Sequence, residues 1–135
     1  MTWIQFMKAY LLTLLVFLAV DFIWLGFIAK GFYQRHLGGF FSEEVNWAAA
    51  VLFYLIFIFG MMIFVISPAL KANAATHALL LGILYGLVTY ATYDLTNLAL
   101  LKDWAKIIVV VDILWGMVLS GVVSIAGYWI SKWLS

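Results

Sequence analysis

Residues 45–70 read VNWAAAVLFYLIFIFGMMIFVISPAL, and no Asp, Glu, Lys or Arg interrupts this stretch. About 20 consecutive apolar residues in a helix are enough to cross the roughly 30 Å hydrocarbon core of a bilayer. The residues do not alternate between polar and apolar, which excludes a strand of a membrane barrel. The stretch therefore predicts a membrane-spanning helix from about Val45 to Ser67, ended by Pro68.

Three further apolar stretches of similar length surround this one. They predict spanning helices from about Gln5 to Ala29, from His77 to Leu101 and from Trp104 to Ser131. We therefore expect a single integral membrane domain over residues 1–135, an all-α four-helix transmembrane bundle with both termini on the same side. Residues 30–44 are expected to form a polar loop, and Ser42 and Asp103 are the expected N-caps of the second and fourth helices.

The composition agrees with an exterior that faces lipid. The chain is 68% hydrophobic and 10% charged, whereas a soluble domain is about half apolar and about a quarter charged. The net charge of +1 without a basic run argues against nucleic acid as a partner. The absence of cysteine excludes disulfides, thiolate metal sites and cysteine nucleophiles. The expected partner is the lipid bilayer.

Tryptophans support the helix boundaries, because indoles prefer the headgroup level. Trp3, Trp129 and Trp133 are expected at one interface, and Trp47 and Trp104 at the other. Lys and Arg are divided almost evenly between the two sides, so they encode the orientation only weakly. Insertion of short hairpins favours termini in the cytoplasm, and dual topology stays open.

Three aspartates lie inside the predicted helices: Asp21, Asp94 and Asp112. At 1.5 Å per residue, each is roughly 10 to 12 Å from the same end of the bundle. A carboxylate in lipid costs about 2.5 kcal/mol or more and should face the bundle interior. We therefore predict one polar site formed by the first, third and fourth helices.

The neighbouring residues predict how these helices pack. Gly82, Gly86, Tyr90, Asp94 and Asn97 follow one face of the third helix, and Asp112, Gly116, Ser120 and Ser124 follow one face of the fourth. Small residues at such spacing let helices approach closely. The predicted polar pocket comprises Asp21, Trp24, Tyr93, Asp94, Asn97, Asp112 and Trp115.

A short repeat occurs within this set, since Asp21-Phe-Ile-Trp24 resembles Asp112-Ile-Leu-Trp115. The two helices are antiparallel, so the two indoles are expected to point to different depths. We therefore interpret the repeat as convergent or fortuitous. An indole away from the headgroup level can still line a pocket or contact a cation.

Several functions suit three buried acids. The leading hypothesis is a binding or transport protein for a proton, a cation or a cationic small molecule, with a homodimer expected because four helices are few for a transporter. Oxygen ligands also suit a hard divalent cation as a cofactor. Alternatively, the acids act as acid and base in an enzyme on a lipid or isoprenoid. A third alternative is a structural or assembly factor without chemistry. In a purely structural interpretation of the acids, Lys30, Arg35, Lys102 and Lys106 pair with the aspartates.

Three stretches carry a family resemblance: VDFIWLGFIAKGFYQRHLG, YGLVTYATYDLTNLALL and VDILWGMVLSGVVSIAGY. Together with the second helix, they resemble the bacterial membrane proteins described as domain of unknown function 2177. The resemblance covers essentially the whole chain and implies a small protein of the bacterial inner membrane. It implies no activity, substrate or catalytic residue.

Overall fold

A computed structural model describes residues 1–40 and 44–135 of the chain. Within these ranges the backbone forms helices and no strand. Four of the helices are long and apolar enough to cross a membrane, namely Trp3–Ile28, Trp47–Ala72, Ala75–Leu100 and Lys106–Leu134. We call them the first to fourth spans. The predicted all-α, four-span architecture is confirmed.

The first span ends in a π-helical turn at the level of the predicted site. Thr2 and Gln5 cap its start reciprocally, each side chain bonding to the backbone of the other residue. The turn covers Trp24–Ile28, and the amide of Ala29 donates to the carbonyl of Trp24 at 2.8 Å. Single π turns inside helices are frequent at functional sites.

The predicted loop after the first span is wrong in part, because Lys30–Leu37 forms a helix, which we call the connecting helix. Its apolar side chains Phe32, Tyr33 and Leu37 pack against a cluster around Trp104 and Ile108. This packing stabilises a helix in a segment whose glycines and charges predict a loop. The predicted N-cap Ser42 lies outside the described residues, and Asn46 caps the second span by accepting from the Ala49 amide at 3.1 Å.

The predicted end of the second helix is also wrong. The span continues through Pro68 and ends at Ala72, followed by Asn73 in a left-handed conformation with φ 51°. A π turn over Met62–Ile66 immediately precedes this last segment. Pro68 has no N–H and cannot donate to a carbonyl of the preceding turn, and the π turn directly before this segment is where the regular hydrogen-bond pattern of the span changes.

Asp103 does not cap the fourth span, which begins at Lys106. Asp103 instead adopts φ 64° in the turn, and Trp104 is buried against Leu37 and Ile108. Burial of the Trp104 indole explains both the later helix start and why this residue does not project outward as predicted. The other four tryptophans expected at the interfaces are at least 55% exposed: Trp3, Trp47, Trp129 and Trp133.

The third and fourth spans pack closely through their small residues, as predicted. A Cβ added to Gly82 would lie 2.6 Å from the Ser124 hydroxyl. A Cβ added to Gly86 would collide with the backbone of Gly116. These glycines therefore set the separation of the two helices that carry Asp94 and Asp112.

We expect Gly86→Ala to destabilise the protein by about 1–3 kcal/mol, since a backbone contact cannot be relieved by rotating a side chain. Thermal unfolding in detergent measures the effect. Gly26→Ala is the matched control, because a Cβ there has no neighbour within 4 Å. Equal melting temperatures for the two variants would contradict the close packing of the third and fourth spans.

Candidate functional site

The three aspartates meet inside the bundle near the end that carries the connecting helix. Asp21 is 8% exposed and Asp94 is fully buried. The Asp21 carboxylate accepts a hydrogen bond from the Trp115 indole at 3.3 Å. Asp94 and Asp112 lie within hydrogen-bonding reach of each other. Asp94 is thus a neighbour of Asp112, and Asp21 lines the same cavity as Asp112. We call these three residues the acid cluster.

The tryptophans of the two Asp-x-x-Trp motifs contact each other, so the expectation that the two indoles lie at different depths is wrong. The rings of Trp24 and Trp115 stack with centroids 4.3 Å apart and planes 9° from parallel. In each motif the tryptophan follows its aspartate by three residues, which is about 4.5 Å along the helix axis. An indole ring is large enough to extend over that distance, so the two rings can reach each other. Asp21 contacts Trp115 directly, whereas Asp112 is connected to Trp24 through the Tyr33 hydroxyl.

Tyr33 of the connecting helix covers the cluster. Its hydroxyl donates to Asp112 Oδ1 at 2.8 Å and accepts from the Trp24 Nε1–H at 3.4 Å. Burial, reinforced by the Asp112 carboxylate, raises the pKa of Tyr33 above its usual value. The hydroxyl therefore keeps its proton at neutral pH and serves as a donor. The sequence prediction missed Tyr33, whose signal was the helical spacing of Phe32, Tyr33 and Leu37.

Asp94 has the most unusual surroundings of the three acids. Neither of its oxygens has a hydrogen-bond donor among the described residues. The side chain that it approaches, Asp112, is also a carboxyl group. Two carboxylates are both acceptors, so a hydrogen bond between them forms only when one of them carries a proton.

A cavity of about 490 Å³ opens beside the cluster. Five of the seven residues predicted for the pocket line it: Asp21, Trp24, Tyr93, Asp112 and Trp115. The other two predicted residues, Asp94 and Asn97, do not line the cavity, and Asp94 is a neighbour of Asp112. The prediction did not include five further lining residues: Leu25, Tyr33, Phe53, Thr89 and Tyr90. The lining is thus mostly aromatic, with two carboxylates.

The cavity reaches the outer surface of the bundle sideways. Leu25, Phe53 and Tyr93 line it and are 42%, 46% and 56% exposed. They belong to the first, second and third spans. Within a span, a side chain exposed on the outside of the bundle faces the membrane interior. The cavity is therefore open at the side of the bundle where these three spans lie next to one another.

Basic residues do not neutralise the acids in the described part of the chain, which contradicts the structural pairing considered above. Lys30, Lys102 and Lys106 are exposed, and the Arg35 side chain donates to the carbonyl of Gly31 at 3.2 Å. The partners of Asp21 and Asp112 are an indole and a phenol. The cluster therefore carries negative charge without a cationic side chain beside it.

The predicted site was also a candidate for a divalent metal ion. In residues 1–40 and 44–135, no three His, Cys, Asp or Glu side chains come together in a group that could hold one. His36 contacts the carbonyl of Phe32 at 2.9 Å, within the connecting helix. The acids face aromatic rings, which supply no hard oxygen ligands apart from phenol hydroxyls.

Comparison with known proteins places the chain in a family. A family model described as "Predicted membrane protein (DUF2177)" matches residues 6–129. Neither curated proteins nor solved structures yield a match. The family resemblance carried by the motifs around Asp21, Asp94 and Asp112 is thereby confirmed. Because the match covers most of its length, the chain belongs to the predicted membrane proteins of the DUF2177 family.

Proposed function

We propose that the protein binds and transports a lipophilic organic cation. The single observation that carries this proposal is a cavity in which two carboxylates lie among aromatic rings without a basic residue beside them. Asp21 and Asp112 supply negative charge, and the indoles of Trp24 and Trp115 line the same cavity. Placing a positive ligand there would compensate charges that otherwise stay costly inside a membrane.

The aromatic lining favours an organic cation over an inorganic one. A cation over an indole or phenol ring gains about 0.5 to 2 kcal/mol, with the larger values in dry sites. Small hard cations such as Mg²⁺ retain waters and require several oxygen ligands. An alkyl- or arylammonium ion, or a phosphonium ion, needs neither. The volume of about 490 Å³ suits a small organic molecule.

The sideways opening supports a lipophilic ligand. Leu25 and Phe53 are exposed apolar side chains at the cavity's edge. A cation with apolar substituents partitions into the membrane and can enter between these residues. We propose that transport, if carried by four spans per chain, involves a homodimer, and that the protein resides in the bacterial inner membrane.

The same opening supports a second candidate, an enzyme acting on a lipid or isoprenoid. In that case, Asp21 and Asp112 would transfer protons to a substrate that enters from the bilayer. The two candidates differ in the charge of the ligand. An enzyme for a neutral or anionic lipid has no requirement for a positive group between the carboxylates.

We expect Asp112→Asn to weaken binding of tetraphenylphosphonium to the detergent-solubilised protein by about tenfold or more, corresponding to about 1.4 kcal/mol. Removing a carboxylate removes the charge that attracts the cation while leaving the size of the side chain nearly unchanged. Equilibrium dialysis measures the affinity. Asp103→Asn is the control, because that exposed acid lies in a turn away from the cavity.

Triphenylphosphine oxide, a neutral molecule of similar shape, provides a second control for the same experiment. The proposal requires that it bind more weakly than the cation and that Asp112→Asn leave its binding unchanged. Equal binding of the two compounds to the wild-type protein would show that the cavity selects apolar surface alone. That result would favour the lipid enzyme.

The stacked indoles lead to a separate prediction. We expect Trp24→Leu to reduce the preference for the cation over the neutral compound, since leucine keeps apolar contact but removes the π face. The ratio of the two dissociation constants, measured by dialysis, should fall about threefold to tenfold. Trp129→Leu is the matched control, because Trp129 is exposed elsewhere on the fourth span. An unchanged ratio would show that the Trp24 ring does not contact the cation.

A further inference from the structure

The position of Asp94 is not explained by cation binding alone. Asp94 is fully buried and does not line the cavity. Its oxygens have no donor among the described residues, although a buried carboxylate without a partner is costly. Asp112 lines the cavity whereas Asp94 does not, so Asp94 needs a role other than direct contact with the ligand.

That role follows from its contact with Asp112. The two carboxyl groups are within hydrogen-bonding reach, and one proton between them would satisfy both. The other titratable groups facing this pair are either neutral donors or a further acid: Tyr33, Tyr90, Tyr93 and Asp21. Within the described ranges, no lysine or arginine forms an ion pair with either carboxyl group. A proton is therefore the positive charge that the empty cluster can hold.

We propose that Asp94 and Asp112 share one proton in the empty site and release it when the organic cation binds, so that the protein exchanges a proton for a cation. The inference rests on the proposed function and names the residue that couples the two ions. Two positive charges competing for the same carboxylates bind less well together than either binds alone. Asp112 contacts the cation, and Asp94 is a positioning residue that holds the proton.

The exchange balances without any further reactant. The cation enters the cavity and forms an ion pair with the Asp112 carboxylate. The O–H bond within the Asp94–Asp112 pair breaks, and the proton leaves to water. No electrons are transferred and no covalent bond to the cation forms. Reversal of these steps lets the cation leave when a proton returns to the pair.

The test counts protons and bound cations in the same sample. Tetraphenylphosphonium is added to the wild-type protein in weakly buffered detergent solution, and a pH indicator reports proton release while dialysis reports binding. We expect a release approaching one proton per bound cation, and an affinity that falls by up to about tenfold per unit decrease in pH. Triphenylphosphine oxide should release none.

Asp94→Asn separates the two roles, because an asparagine amide can donate to Asp112 but does not ionise and so has no proton to release when the cation binds. We expect this variant to bind the cation with little proton release and with an affinity that depends less on pH. Asp103→Asn should behave as the wild type does. Cation binding by the wild type without proton release would overturn the exchange but leave the proposed function intact, and absence of binding would overturn both.

The proton exchange can be tested even if the Asp94→Asn variant does not fold. The proton count and the pH dependence of affinity in the wild type are sufficient to support or to overturn the exchange. If Asp94→Asn folds and releases as many protons as the wild type, the proton comes from another acid. Asp94 would then not be the coupling residue.

Discussion

Negative charge buried inside a membrane protein, without a basic side chain to neutralise it, is the constraint on which the site depends. Each intramembrane carboxylate costs about 2.5–3.5 kcal/mol on insertion scales. Hydrogen bonds from neutral donors offset part of this cost: the Tyr33 hydroxyl donates to Asp112, and the Trp115 indole donates to Asp21. Asp94 receives no donor among the described residues. Under the proposed function, this incompletely compensated negative charge attracts the cation.

The surrounding bundle holds the acids together by close helix packing. Gly86 and Gly116 bring the third and fourth spans into backbone contact, and Asp94 and Asp112 lie further along the same helix faces. The first span contributes Asp21 and, at its π turn, Trp24. Stacking of Trp24 on Trp115 ties the first span to the fourth at the level of the acids. Packing and site are therefore parts of one arrangement.

Much of this architecture could be predicted from the sequence because hydropathy and helix rise are simple constraints. Uninterrupted apolar stretches locate the four spans, and counting residues from their ends places the three aspartates at one depth. The small-residue faces of the third and fourth helices predict their contact. The predicted helix ends were less accurate. The second span continues past Pro68 to Ala72, and the fourth begins after Trp104, whose indole is buried by tertiary packing.

The cavity itself was harder to predict. Tyr33 lies in a segment whose glycines and charges indicate a loop, and its helix forms only because the segment packs on Trp104 and its neighbours. Phe53 comes from a uniformly apolar span, in which no pattern shows which face turns inward. The stacking of the indoles depends on ring size as well as on backbone depth. These features arise from tertiary contacts that one sequence does not encode locally.

We propose that an organic cation is held beside Asp21, Asp112 and the stacked indoles. Tetraphenylarsonium tests it most directly, because its arsenic atom can be located by anomalous scattering in crystals of the protein. The account predicts an arsenic peak inside the cavity, beside the two carboxylates and the rings of Trp24 and Trp115. A peak elsewhere, with the cavity filled by lipid, would contradict it.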